Sequence, residues 1–222
     1  MFSKRLTTLI CIAVLSSAGL TACVPLVMGG TAVMTTNVAL DRRTAGAQVD
    51  DQAIQLKARN SLNQALSEQA HVSINSYNRR VLLTGEVPNE AERQKAAQLT
   101  KEVENVREVF NELVIAPAST YSERTQDTWV TSKVRTEILR TSDLPSKSMQ
   151  VTTERGVVYL QGLVTPREAQ LATDSVRSIG GVDKVVRIFE IISEEELQKS
   201  LQEREARTAE GPIGGNLGGP NL

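Results

Sequence analysis

One pattern recurs in this chain at an offset of 76 or 77 residues, so the chain must fold as two copies of one small unit. The first copy carries Ile54, Ala58, Leu62 and Leu66 at the i, i+4 spacing of a helix face. The second carries Val130, Val134 and Ile138 at the same spacing, 76 residues later. Lys57 matches Lys133, and Arg59 matches Arg135. Two short alternating runs follow in each copy and read as paired strands. They are Val72 to Ile74 with Val81 to Leu83, and Met149 to Val151 with Val158 to Leu160. Here the offset is 77, so the second copy has one extra residue between Ser142 and Ser148. Gly85 then pairs with Gly162 and Val87 with Val164.

A second helix starts in both copies. Asn89 with Glu92 supplies a cap and an acid three residues on. Thr165, Pro166 and Glu168 supply a cap, a proline at the first helical position and the same acid. The offset returns to 76 because Pro88 is an extra residue of the first copy. Ala96 and Val103, and Ala172 and Ile179, form the buried faces. Val106 and Val109, and Val182 and Val185, lead into a last strand ending at Ile115 and Ile191.

Each copy is therefore expected to be α-β-β-α-β, a three-stranded sheet with two helices on one face, of the α+β class. A unit of this size lies within the range that folds alone. The expected divisions are a first domain over 51–116, a linker over 117–126 and a second domain over 127–192. Beyond these, 193–222 reads as a charged helix opened by Ser193 and Glu194 to Glu196, then a Gly-, Pro- and Asn-rich tail.

The N-terminus reads as an export signal. Lys4 and Arg5 form a positive start, and Leu9 to Leu15 is apolar but too short to span a bilayer. Leu20-Thr21-Ala22-Cys23 resembles the lipobox of bacterial lipoproteins. That resemblance implies cleavage after residue 22 and lipidation of Cys23 by a diacylglycerol thioether and an amine-linked acyl chain such as palmitate. Val24 after the cysteine implies the outer membrane rather than the inner. Several acyl chains give firm anchoring where one would be marginal. Residues 23–50 then read as the lipidated cysteine and a tether, whose apolar stretch Val24 to Met34 either lies against the membrane or is a plain spacer.

Composition excludes most site chemistry. The chain has one histidine, His71, and two cysteines, of which Cys11 leaves with the signal and Cys23 carries lipid. No metal site is expected, because a His/Cys zinc site needs three or four ligands and His71 has no metal-binding residue at useful spacing. His71 therefore reads as structural. No catalytic group is expected either. A nucleophile–base pair would rest on His71 alone, and Glu90 with Glu92 is a first-turn helix signal. Gly211 to Gly219 lacks the lysine and the strand–loop–helix setting of a phosphate loop, so no cofactor is expected. Tyr77 and Tyr159 read as strand packing residues. A net charge of −1 gives no footprint for nucleic acid.

The Gly-x-Val turns, the capped helix and the run Gly181-Val182-Asp183-Lys184-Val185 resemble the BON domain, a bacterial envelope module. Asn105 departs from that pattern where the second copy has Gly181. Two such units behind a lipobox resemble the dual BON-domain outer-membrane lipoproteins. The approach from Asp41-Arg42-Arg43-Thr44 to Gln48 and Asp51 is also similar to that family. The resemblance covers residues 20–192. It implies a non-enzymatic, outer-membrane, periplasm-facing protein that binds anionic phospholipid, often at division sites, and supports envelope integrity.

The residues suggest where lipid would bind. At 100° per residue, the stripe Val130, Val134, Ile138 centres about 140° from Trp129, the only tryptophan. Trp129 thus points off the core. Lys133, Thr136 and Arg140 share its face, Leu139 flanks it, and Arg135 lies further round. An aromatic and a leucine among cations suit a headgroup interface. In the first copy Ala53 replaces Trp129, while Asn60, Asn63 and Gln64 replace Thr136, Leu139 and Arg140. The alternative is that Trp129, like most tryptophans, is covered, here by the other domain or the linker. The competing function is a periplasmic adaptor that docks an envelope protein partner through an open strand edge or the first domain's helix. A monomer is expected in either case.

Overall fold

The computed structural model describes residues 41–209. The signal segment, Cys23, the tether up to residue 40 and the tail from residue 210 lie outside the described residues.

The first unit runs α1 (Ala45–Ala65), β1 (His71–Tyr77), β2 (Arg80–Val87), α2 (Glu90–Lys101), β3 (Glu108–Asn111) and β4 (Val114–Ile115). The second runs α3 (Tyr121–Arg140), β5 (Met149–Glu154), β6 (Val157–Val164), α4 (Pro166–Val176) and β7 (Lys184–Ile191), and α5 (Glu194–Ala209) follows. In each sheet the central strand pairs antiparallel with the strand before it and parallel with the strand after α2 or α4. The second sheet has the three expected strands. In the first, the last strand is interrupted between β3 and β4, both of which pair with β2. Leu113 turns into the core there, and the Asn111 amide donates to the Arg93 carbonyl while its oxygen accepts from Leu113 N–H. The extra residue Pro88 also appears in the registers. Arg80 pairs with Glu108, 28 residues on, whereas Val157 pairs with Lys184, 27 on.

Both hairpins turn through two residues of positive φ, Asn78 and Arg79 in the first and Arg155 and Gly156 in the second. Such turns match the twist of the flanking strands, but non-glycine residues adopt them at a cost. A helix carboxylate holds each turn. Asp51 of α1 accepts from Asn78 N–H at 2.8 Å and Arg79 N–H at 2.7 Å. Asp127 of α3 accepts from Arg155 N–H at 2.8 Å and Gly156 N–H at 3.0 Å. The two acids stand 76 residues apart, a match that the apolar stripes hide because both occupy buried positions of otherwise apolar faces. Asn105 and Gly181 both have positive φ, which explains the departure between the copies: asparagine tolerates that conformation better than most side chains.

Helices cover one face of each sheet, over cores built on Ile54, Ala58, Leu62, Val81, Leu83 and on Val130, Val134, Ile138, Val158, Leu160. The opposite faces meet each other. Leu82 and Phe110 of the first sheet pack with Tyr159, Ile188 and Val186 of the second. Leu82 and Tyr159 occupy the same position of the repeat, as do Phe110 and Val186, so the domains join by equivalent surfaces.

The segments before α1 and α3 cross this seam in opposite directions. Arg42 reaches the second domain, with a bidentate pair to Glu168 at 2.6 and 2.8 Å and a bond to the Leu163 carbonyl at 3.0 Å. Ser119 reaches the first, its N–H donating to Glu86 at 3.1 Å. Residues 41–50 of the expected tether and 117–126 of the expected linker therefore take part in the packed structure. Thr44 caps α1 at Ala45, and Thr120 with Glu123 forms a reciprocal capping box that starts α3 at Tyr121. Trp129 accordingly sits nine residues into its helix rather than at its start.

Candidate functional site

The buried stripe of α3 consists of Asp127, Val130, Val134 and Ile138. Trp129 is 63 % exposed and Leu139 70 % exposed, so neither the other domain nor the linker covers the tryptophan. Tyr121, 81 % exposed, adds a third apolar group at the bearing of Leu139, two turns before Trp129. Tyr121 was not legible as part of this face because residues 117–126 read as linker.

Between these groups lies a run of hydroxyls. Thr125, Thr128, Ser132 and Thr136 each donate to the carbonyl four residues earlier, at 2.8 to 3.0 Å. Their donors are thus satisfied within the helix, which lowers the cost of bringing this face against an apolar layer. Thr136 serves in that way rather than as a free donor.

The cations differ in their surroundings. Lys133 donates to the Gly180 carbonyl beyond α4. Its counterpart Lys57 pairs with Glu104 at 2.9 Å, and Glu104 occupies the repeat position of Gly180. The second copy has therefore lost the acid that would neutralise this lysine, and no carboxylate among the described residues lies within ion-pair distance of it. Arg135 donates to the Val151 carbonyl at 3.2 Å and leans away from Trp129. Arg140 is exposed at the C-terminal end of the helix. Two of the helix's three acids are committed, Asp127 to the hairpin and Glu123 to the cap, where bonds from Thr120 hold the Glu123 carboxyl below its ordinary range.

A cleft of about 360 Å³ opens beside Leu139. Ile138, Met149 and Val151 line it, with Arg135 and Lys147 supplying positive charge and Arg43 paired with Asp41 and Asp51. Tyr77 closes it from the first domain. Its hydroxyl donates to the Ser148 carbonyl at 2.9 Å, and the Arg43 guanidinium lies 4.2 Å from its ring centroid. Tyr77 and Tyr159 are both buried, as packing residues of the seam.

The first helix is a weaker counterpart. Its equivalent face exposes Val49 and Leu56, in the positions of Thr125 and Ser132, but carries no aromatic. Its lysine on that side is paired.

His71 is less isolated than its sequence neighbours suggest. Its Nδ1 lies 3.1 Å from Glu86, and ligand atoms of His71, Glu86 and Glu154 all fall within 4.8 Å of one another. The three come from β1, β2 and β5, so no spacing within one copy could bring them together. Arg155 donates to Glu86 at 3.2 Å. Burial, and then the nearby Glu86 charge, push the Glu154 carboxyl up to about 7.

Among the described residues, no helix is long and apolar enough to cross a membrane. The chain is similar to the outer membrane lipoprotein DolP of Haemophilus influenzae, 37 % identical over 175 residues, covering 78 % of this chain and 90 % of that protein. It is 30 % identical to the 21 kDa hemolysin of Actinobacillus pleuropneumoniae, over 69 % of this chain and 80 % of the relative. It is 28 % identical to the osmotically-inducible protein Y of Escherichia coli, over 63 % of this chain and 72 % of the relative. The BON domain description matches residues 50–117 and 126–192, each spanning one of the two packed units, and the chain belongs to the BON-domain family.

Proposed function

We propose that this protein is an outer-membrane lipoprotein, anchored through Cys23 and facing the periplasm, whose α3 binds anionic phospholipid. The similarity to an outer membrane lipoprotein over nine-tenths of that protein supports the location. The exposed trio Tyr121, Trp129 and Leu139 supports the contact, and it is the observation that carries the reading. These side chains would enter the headgroup–acyl boundary while Lys133 and Arg140 meet phosphate. The cleft beside Leu139, with its apolar lining and cationic rim, would receive part of one lipid. Anchor and helix bind the same membrane, so each raises the effective concentration of the other. The role is non-enzymatic support of outer-membrane integrity, including at division sites, carried out by a monomer.

Vesicle co-sedimentation tests this reading. Protein with Cys23→Ala, which takes no lipid, should pellet with anionic but not with zwitterionic vesicles. Trp129→Glu should abolish pelleting, and Lys133→Glu should weaken it. Unchanged pelleting of Trp129→Glu would remove α3 from the function.

Val49 and Leu56, exposed on α1, favour a second reading in which the first domain docks an envelope protein. Leu56→Glu should then impair function in cells while leaving vesicle binding intact.

A further inference from the structure

The domain seam is closed differently at its two ends. At one end Tyr77 of the first domain meets Ser148 and Leu163 of the second, bridged by Arg42. At the other, the positions equivalent in the repeat are Glu154, His71 and Glu86. The fold thus closes this junction with a tyrosine, backbone carbonyls and arginines already paired with acids in one place, and with an imidazole and two carboxylates in the other. The second set is not something the architecture demands.

Its chemistry is unbalanced as it stands. Glu86 is fully buried and accepts from Ser119 N–H and Arg155. Glu154 is nine-tenths buried, points at the same spot and accepts no hydrogen bond from any described residue. Two carboxylates this close, with one partly exposed arginine paired to Glu86, call for a further cation or a proton. An imidazole nitrogen beside two carboxylate oxygens is a donor set for a borderline divalent ion such as zinc. His71 is the most exposed of the three and gives an entry path.

We infer that His71, Glu86 and Glu154 hold a divalent transition-metal ion that ties the two domains together. Its ligands come from both domains, so binding fixes their junction. Metal and proton compete for Glu154, whose surroundings also include Asp127 and Arg124. The inference is independent of the lipid-binding reading, because none of these residues lies on the exposed face of α3.

The test is zinc titration of the full-length protein, with Cys11 and Cys23 changed to serine so that no thiol competes, against a chromophoric chelator. One ion per chain should bind. Glu154→Gln and His71→Ala should each weaken binding by about tenfold or more. Zinc should also raise the melting temperature of the parent protein and not that of Glu154→Gln. Glu154→Gln removes a buried charge and keeps the shape, so its fold, checked by circular dichroism, should survive. Absence of one-to-one binding, or parental affinity in both variants, would overturn the inference and leave the cluster as a proton-sharing pair.

Discussion

Replacing Asp51 by alanine should destabilise the protein by about 3–5 kcal/mol, because it strands one buried hydroxyl and two turn N–H donors. Its carboxylate accepts four bonds: Ser76 Oγ at 2.6 Å, Arg79 N–H at 2.7 Å, and Asn78 N–H and Arg43 Nη1 each at 2.8 Å. Arg43 keeps Asp41, so its loss is small. Ser76 is buried and would have no replacement acceptor. Each stranded donor costs about 1–3 kcal/mol, less where water reaches the turn. The turn itself holds two non-glycine residues at positive φ, which Asp51 helps to stabilise. Asp127 is the internal comparison. It accepts two bonds rather than four, and its turn contains Gly156. Asp127→Ala should therefore cost only about 1–3 kcal/mol. Urea unfolding of the full chain, followed by circular dichroism, measures both. Asp51→Asn, which retains one acceptor oxygen, should fall between the parent and Asp51→Ala. If Asp127→Ala costs as much as Asp51→Ala, the number of bonds at the hairpin is not what sets the stability.

Other substitutions probe the backbone and the seam. Gly85 has φ +112°, and a Cβ there would collide with the His71 carbonyl, so Gly85→Ala should cost about 3 kcal/mol or more and lower the melting temperature accordingly. Burial alone would raise the Glu168 pKa, but bonds from Arg42 and Thr165 bring it below the ordinary value of 4.5. A carboxyl depressed by folding contributes stability above its unfolded pKa and loses it as pH falls through the folded one. Stability should therefore decline below about pH 4.5, and Glu168→Gln should flatten that acid limb in pH-dependent urea titrations. A flatter limb in the parent than in the variant would contradict the assigned pair.

The repeat made most of the fold legible. Two indels, Pro88 and the residue near Ser142 to Ser148, were enough to align every core position, and Pro88 reappears as the difference between the 28- and 27-residue strand registers. What escaped was chemistry that crosses between copies or between apolar positions. Asp51 and Asp127 sit among buried stripes and align with each other, yet a stripe search discards them as polar. Thr44 and Thr120 also align, and would have moved both helix starts. The Lys57–Glu104 pair and the bare Lys133–Gly180 contact differ by one substitution, visible in the alignment once the loop after α2 is known to face α1. His71, Glu86 and Glu154 had no local signature, because two sheets must first pack face to face. Of the α3 residues expected to meet lipid, Trp129, Arg135, Thr136, Leu139 and Arg140 are exposed and Lys133 is half-buried, while Lys133, Arg135 and Thr136 also bond to backbone carbonyls.

Because Trp129 is the only tryptophan of the chain, tryptophan fluorescence reports on the surroundings of this one position. Emission should shift to the blue and gain protection from an aqueous quencher when anionic phospholipid vesicles are added to protein with Cys23→Ala. Zwitterionic vesicles should leave it unchanged. If the protein pellets with anionic vesicles while Trp129 keeps its solvent-exposed emission, the membrane is bound by another surface and the account of α3 is wrong.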